Sequence, residues 1–204
     1  MTLTTMALIA FALVTVLVIS MVMVRPSLAG GTAGKTLALV ALAVLPAVAT
    51  TFGTNAHLEA SKTTDFCLSC HAMKPYGESL ELDDSAHLPA AHFQNSRVPR
   101  DHACFSCHTT YTMYGDLDAK MKGLKHLWVN YFGTIPEKIE LYEPFHNREC
   151  LHCHDGARTF EENEFHADFR QELATNETSC LECHDVAHEV EKLHELERWS
   201  RDGE

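Results

Sequence analysis

All eight cysteines of the 204-residue chain fall into four copies of one pattern. These are Cys67-Leu68-Ser69-Cys70-His71, Cys104-Phe105-Ser106-Cys107-His108, Cys150-Leu151-His152-Cys153-His154 and Cys180-Leu181-Glu182-Cys183-His184. C-x-x-C-H is the attachment signature of c-type haem. Two thiols three positions apart on one turn reach the two vinyl groups of a porphyrin edge, and the adjacent His reaches the iron. Other uses of paired cysteines explain less. Disulfides account for an even count but not for a His after every second Cys. Zinc sites pair two C-x-x-C units without requiring four such His. A thioredoxin-like pair needs a βαβ unit, and none is legible here. The pattern predicts four covalent haem c groups, attached on the outer face of the energy-transducing membrane.

Four porphyrins in residues 57–204 leave little room for an ordinary core, so the porphyrins themselves are expected to form it. The first cysteines lie 37, 46 and 30 residues apart, room for one or two helices and a distal ligand each. Gly and Pro punctuation, as in Pro75-Tyr76-Gly77, Pro89, Pro99, Gly133, Pro136, Pro144 and Gly156, argues against long continuous helices before the end of the chain. Sheet is not visible. Val186, Val190, Leu193, Leu196 and Trp199 fall at helical spacing and predict a terminal amphipathic helix over 185–199. The expected class is mainly α, a transmembrane helix pair followed by short helices and loops wrapped round four haems.

Charge divides the chain. Residues 1–56 hold two cations, Arg25 and Lys35, and no acid. Of the 16 basic and 28 acidic residues, 14 and 28 therefore lie in 57–204, a formal −14. An acidic domain is a poor match for phosphates, so nucleic acid is not an expected partner. Met6 to Val24 is an uncharged apolar run long enough to cross a hydrocarbon core of roughly 30 Å. A second run, 36–53, contains Pro46, which bends a membrane helix but is tolerated there. The loop between them carries both cations, and the positive-inside tendency puts it in the cytoplasm. Residues 1–56 then form a two-helix anchor, and 57–204 an extracytoplasmic haem domain. The alternative is a cleaved signal peptide, but Met1-Thr2-Leu3-Thr4-Thr5 lacks a basic n-region.

The first motif continues into Ala72 and Met73, giving C-x-x-C-H-x-M. Alone this is weak, since Met is a common packing residue. Together with four haem motifs and a preceding membrane helix, it resembles the NapC/NirT/NrfH family of membrane-anchored quinol dehydrogenases. Further residues carry the resemblance: Lys120, Gly123 and Tyr131-Phe132-Gly133-Thr134-Ile135 after the second motif, and the ending Cys183-His184-Asp185-Val186-Ala187-His188. The helix over 6–24 departs from the family, most of whose members have one anchor.

The resemblance implies that Met73, not His71, binds the first iron, with His108, His154 and His184 the proximal ligands of the others. A thioether is a weaker donor than imidazole and raises the reduction potential. Quinol oxidation releases two protons, so a base or hydrogen-bond partner is needed nearby. The family's pocket lysine falls at Lys120, and its acidic residue falls close to His126, with Asp116 and Asp118 nearby. The basic run from Lys120 to Lys125 also suits contact with anionic lipid headgroups. For the distal ligands the family comparison favours His92, His166 and His188, with His87 and His146 in reserve. His152 and His194 read as solvent or propionate partners.

The leading expectation is a quinol-oxidising electron conduit in the bacterial inner membrane, with its haem domain on the periplasmic side. Menaquinol or ubiquinol is the expected substrate. The expected partner is a periplasmic or extracytoplasmic reductase, or another redox protein with a basic docking patch, within a hetero-oligomeric complex. The rival is an electron-transfer and anchoring subunit of a larger complex without its own quinone site. A third reading, a catalyst reducing a small oxyanion, has no motif in which the proximal His is replaced.

Overall fold

The computed structural model describes residues 3–136, 139 and 141–199. The chain divides into two compact units, Met1–Ser61 and Lys62–Glu204. In the first, Leu3–Val24 forms one helix. The chain then turns through Arg25 and a short 3-10 turn, Pro26–Ala29, into a second helix spanning Gly31–Ala60. Both are long and apolar enough to cross a membrane. Three of their hydroxyls bond within the helix, Thr15 Oγ1 to the Phe11 carbonyl at 2.9 Å, Thr36 Oγ1 to Thr32 at 3.1 Å and Thr51 Oγ1 to Ala47 at 2.8 Å, which satisfies those groups in an apolar surround. Large apolar side chains such as Leu13, Leu17 and Met23 point outward, as suits a lipid environment.

The second helix is longer than the apolar run 36–53 that marks it. Gly31 adopts φ 67° at its start. At Gly34 a Cβ would lie 2.3 Å from the Leu28 carbonyl oxygen, so only glycine lets the turn fold back over the helix's first residues. Val40–Val44 is a π-helical stretch, with the Leu45 amide bonded to the Val40 carbonyl. It lies directly before Pro46, which has no N–H to give. A one-turn widening re-satisfies the backbone there.

The second unit is a set of short helices without a strand among the described residues. A single antiparallel bridge joins Leu82 to Arg198. Side chains build only a small apolar core, Leu82, Ala90 and Leu193, flanked by Val190 and Leu196. Gln94 crosses over it and donates to the carbonyls of Leu80 (3.0 Å) and Leu82 (2.7 Å).

Two expectations fail here. Gly115–Phe132 is an 18-residue helix, although the Gly/Pro punctuation argued against long helices. No proline falls inside it, and Gly123 lies in open space mid-helix. Conversely, 185–199 is not an amphipathic helix. It is a strap with a single 3-10 turn at Val190–Lys192. His188 takes φ 51°, which breaks a helix. The Asp83 amide then bonds the Glu197 carbonyl at 2.9 Å, and the Trp199 amide bonds Glu81 at 2.6 Å. The spacing of Val190, Leu193 and Leu196 reports burial in the core, not helical periodicity.

Candidate haem and electron-transfer site

The four motifs are held as two pairs by equivalent braces. Each brace is the residue three positions before the first cysteine of a pair. Thr64 Oγ1 donates to the Arg100 carbonyl at 2.8 Å and accepts from the Ala103 amide at 2.9 Å, tying Thr64–Leu68 to Ala103–Cys107. Asn147, 2% exposed, plays the same part at the third motif. Its Oδ1 accepts from the Cys180 amide at 2.8 Å, and its Nδ2 donates to Leu173 (2.9 Å) and Thr178 (2.6 Å). Its own amide donates to Asn176 Oδ1 at 2.7 Å.

The braces bring the leading cysteines of each pair into contact. A hydrogen bond from Cys104 lowers the Cys67 thiol to about 7, helped by the charge of Lys120, and the same contact pushes Cys104 up. Cys180 is likewise lowered to about 7 by Cys150, which is pushed up. All eight thiols are free, and the second cysteine of every motif is exposed. Among the described residues no three His, Cys, Asp or Glu side chains converge as a metal cage.

The second and third motifs are joined differently. Tyr111 stacks on His152 with ring centres 3.8 Å apart and planes 7° from parallel. Its hydroxyl donates to the Ser106 carbonyl at 2.6 Å, and its amide donates to Glu149 Oε2 at 2.9 Å. Glu149, buried, is also paired with Arg148 at 3.0 Å. Successive motifs are thus in contact in chain order, first to second, second to third, third to fourth. His152, expected as a solvent or propionate partner, is exposed and stacks on Tyr111.

Three pairs join a motif histidine to another histidine, and His188 also lies 6.3 Å from His87. His108 and His188 lie 6.1 Å apart centre to centre, His92 and His154 6.0 Å, and His166 and His184 6.2 Å. Two imidazoles sharing one ion, with metal–nitrogen bonds of about 2 Å and roughly 1.1 Å from nitrogen to ring centre, have centres about 6.3 Å apart. Each pair joins one motif His to one of His92, His166 and His188. C-x-x-C-H cysteines beside such pairs fit a covalently attached haem.

Ser79 Oγ lies 2.8 Å from His188 Nδ1, so the ring's Nε2 is the nitrogen left for a metal. The Leu88 carbonyl takes the same position at His92 Nδ1, 2.8 Å away. Burial, then the charges of His108 and His87, hold His188 down at about 4, which keeps it the neutral imidazole a metal requires. Of the reserves, His87 is buried and caps Leu88–Gln94 through Nδ1, which accepts from the Ala90 amide at 3.4 Å. His146 is exposed at the N-cap of Asn147–His154.

The first motif runs into a 3-10 turn, His71–Met73, where the Met73 amide bonds the Cys70 carbonyl at 3.0 Å. Pro75 follows in Lys74–Glu78. Met73 is half-buried and His71 exposed.

The four pocket candidates separate. Lys120 Nζ lies 4.5 Å from the centre of the Phe105 ring, and Lys62 Nζ lies 5.5 Å from it. Lys62 binds Asp116 Oδ2 at 2.6 Å, and Thr109 Oγ1 donates to Asp116 Oδ1 at 3.3 Å. Lys120 and Asp116, one turn apart, therefore face the first two motifs. Asp118 does not, whereas His126 is within electrostatic reach of His108 of the second motif, whose imidazole is held down by burial and then by the His126 charge. Asp118 pairs with Lys122 at 2.8 Å, which also binds Glu143 at 2.9 Å. His126 packs on Tyr142 with centres 4.8 Å apart. Lys62 was missed in the sequence, since it lies just beyond the second membrane helix with no motif around it.

The model of the NapC/NirT cytochrome c family, N-terminal region, matches residues 31–193. The chain is 26% identical to the cytochrome c-type protein NapC of Escherichia coli K12 over 164 residues, 71% of this chain and 78% of that one. It is 29% identical to NapC of Paracoccus pantotrophus, over 71% of this chain and 66% of that one. A protein of Allochromatium vinosum with "tetraheme" in its name is 29% identical over 64% of this chain and 76% of that one. No solved structure matches. With two apolar helices, four haem motifs and a matching family model, the chain belongs to the NapC/NirT cytochrome c family and is a membrane-anchored multihaem cytochrome c of electron transfer.

Proposed function

We propose that this protein oxidises quinol at the outer surface of the bacterial inner membrane and passes electrons to a periplasmic redox partner. The four cysteine pairs would hold four haem c groups, which would supply the one-electron carriers, and a sulfur donor from Met73 would raise the potential of the first relative to the bis-His others. Met73 ligates the first iron. The pairs His108–His188, His154–His92 and His184–His166 ligate the second, third and fourth. Residues 1–56 anchor the haem domain, 57–204.

The observation that carries the quinol reading is the group around Phe105. Lys120 lies over that ring, and its charge reaches Cys67 of the first motif. Beside it the Asp116 carboxylate is held by Lys62 and Thr109. An ammonium favours the anionic form of a quinol oxygen, and a carboxylate held in place is an acceptor for the proton it sheds. Two electrons and two protons leave per quinol. Lys62 positions Asp116. The haem domain, at a formal −14, docks on a basic patch of its partner.

The test is reduction of the purified, haem-loaded full chain by menaquinol and ubiquinol analogues in lipid. The wild type is reduced, and Lys120→Ala slows reduction about tenfold while dithionite reduces both alike. No reduction by any quinol overturns the reading and leaves an anchoring electron-transfer subunit without a quinone site.

A further inference from the structure

The helix Gly115–Phe132 presents a face that the haem chemistry does not use. Tyr114, Leu117, Met121, Leu124, Trp128 and Tyr131 follow a 3, 4, 3, 4, 3 spacing and so form one stripe along it. Each is between 55% and 72% exposed. Among the described residues no other helix packs along it. At 100° per residue, Lys120 and Lys125 border the stripe on opposite sides, with their ammonium groups over the rings of Phe105 (4.5 Å) and Tyr142 (3.7 Å). From Ala119 to Pro136 there are three lysines and no acid, in a domain otherwise strongly acidic. The opposite face is already engaged, with Lys122 bound to Asp118 and Glu143, and His126 on Tyr142.

We propose that this helix lies flat on the membrane leaflet facing the haem domain, its stripe sunk into the boundary between headgroups and acyl chains. Three features select lipid as the occupant. The apolar stripe is bordered by cations that match anionic headgroups, in a chain that already carries two membrane-crossing helices. Trp128 and Tyr131 have the apolar body and polar tip of residues that settle at that depth. A helical protein partner fits worse. Tyr114, Trp128 and Tyr131 occupy the spacing of a coiled-coil seam, where Leu, Ile and Val pack best. The helix thereby sets the height at which Lys120 and Asp116, on its other flank, meet the bilayer surface. The proposal rests on membrane anchoring, not on quinol oxidation.

The test uses the haem-loaded full chain in nanodiscs of phosphatidylcholine and phosphatidylglycerol doped with a diazirine phospholipid, with adducts mapped by mass spectrometry. Lipid adducts are expected on Leu117, Met121, Leu124 and Trp128, with none on Asp118 or Lys122. Leu124→Glu with Trp128→Glu is expected to lower adducts at Leu117 and Met121 about tenfold, with the haem absorption spectrum unchanged. Adducts confined to the two N-terminal helices, or crosslinks from the stripe to a second copy of the chain, overturn the proposal. The wild-type map decides the matter even if the double variant does not fold. Quinol reduction is measured in the same discs. A wild type without stripe adducts but with reduction intact defeats this proposal alone, and a wild type with stripe adducts but without reduction defeats the quinol reading alone.

Discussion

The first and second motifs, and the third and fourth, are two versions of one device. In both, a side chain three residues before the leading cysteine bonds across to the partner motif, and the leading thiols touch. The versions differ in what closes them. The Asn147 side chain makes three hydrogen bonds, and the histidine pairs His92–His154 and His166–His184 sit against the second version. The Thr64 side chain makes two, and in the first version two lysines and an aspartate gather at Phe105 of the second motif. On the proposed function, the second brace serves two haems with bis-His ligation and the first serves the pair that meets quinol.

That contrast can be broken at several points. Asn147→Ala strands a buried amide and two carbonyls, and is expected to cost about 3 kcal/mol, read from denaturant or thermal melts. Thr64→Ala at the lighter brace should cost about 1.5 kcal/mol in the same assay. Equal losses would show that the two halves are not held differently. Lys62→Ala, which releases Asp116, should slow quinol reduction about threefold to fivefold with the melt nearly unchanged, and the corresponding change at Arg148 should leave the rate alone. Tyr111→Phe keeps the stack on His152 but loses the bond to Ser106, at about 1 kcal/mol or less. Arg158→Ala removes an exposed pair with Glu162 and should cost no more than about 0.5 kcal/mol. Separately, raising the ionic strength should weaken docking to the redox partner, and an affinity indifferent to salt would count against the acidic docking surface.

The haem motifs and both membrane helices were legible because each is a local pattern, of cysteine spacing or unbroken apolarity. The helix boundaries were less so. Gly31 and Gly34 read as loop residues, yet they let the turn fold back on the helix and start it early. His92, His166 and His188 are distal candidates on the family resemblance, but the facing of His108 with His188, 80 residues apart, is a contact that no spacing rule supplies. Asn147 and Lys62 looked like ordinary polar residues, since their partners lie 33 and 54 residues away. The strap after His184 misled for the opposite reason. Its apolar spacing is real, but bonds to Glu81 and Asp83 hold it extended.

The account stands most directly on ligation of the first iron. Intact mass of the purified chain, joined to low-temperature magnetic circular dichroism of the oxidised protein, reads the number of haems and the donor on each iron. The expected result is four covalent haems, three with bis-imidazole signatures and one carrying sulfur that disappears in Met73→Ala. Four bis-imidazole haems, or a chain bearing fewer than four, would contradict it.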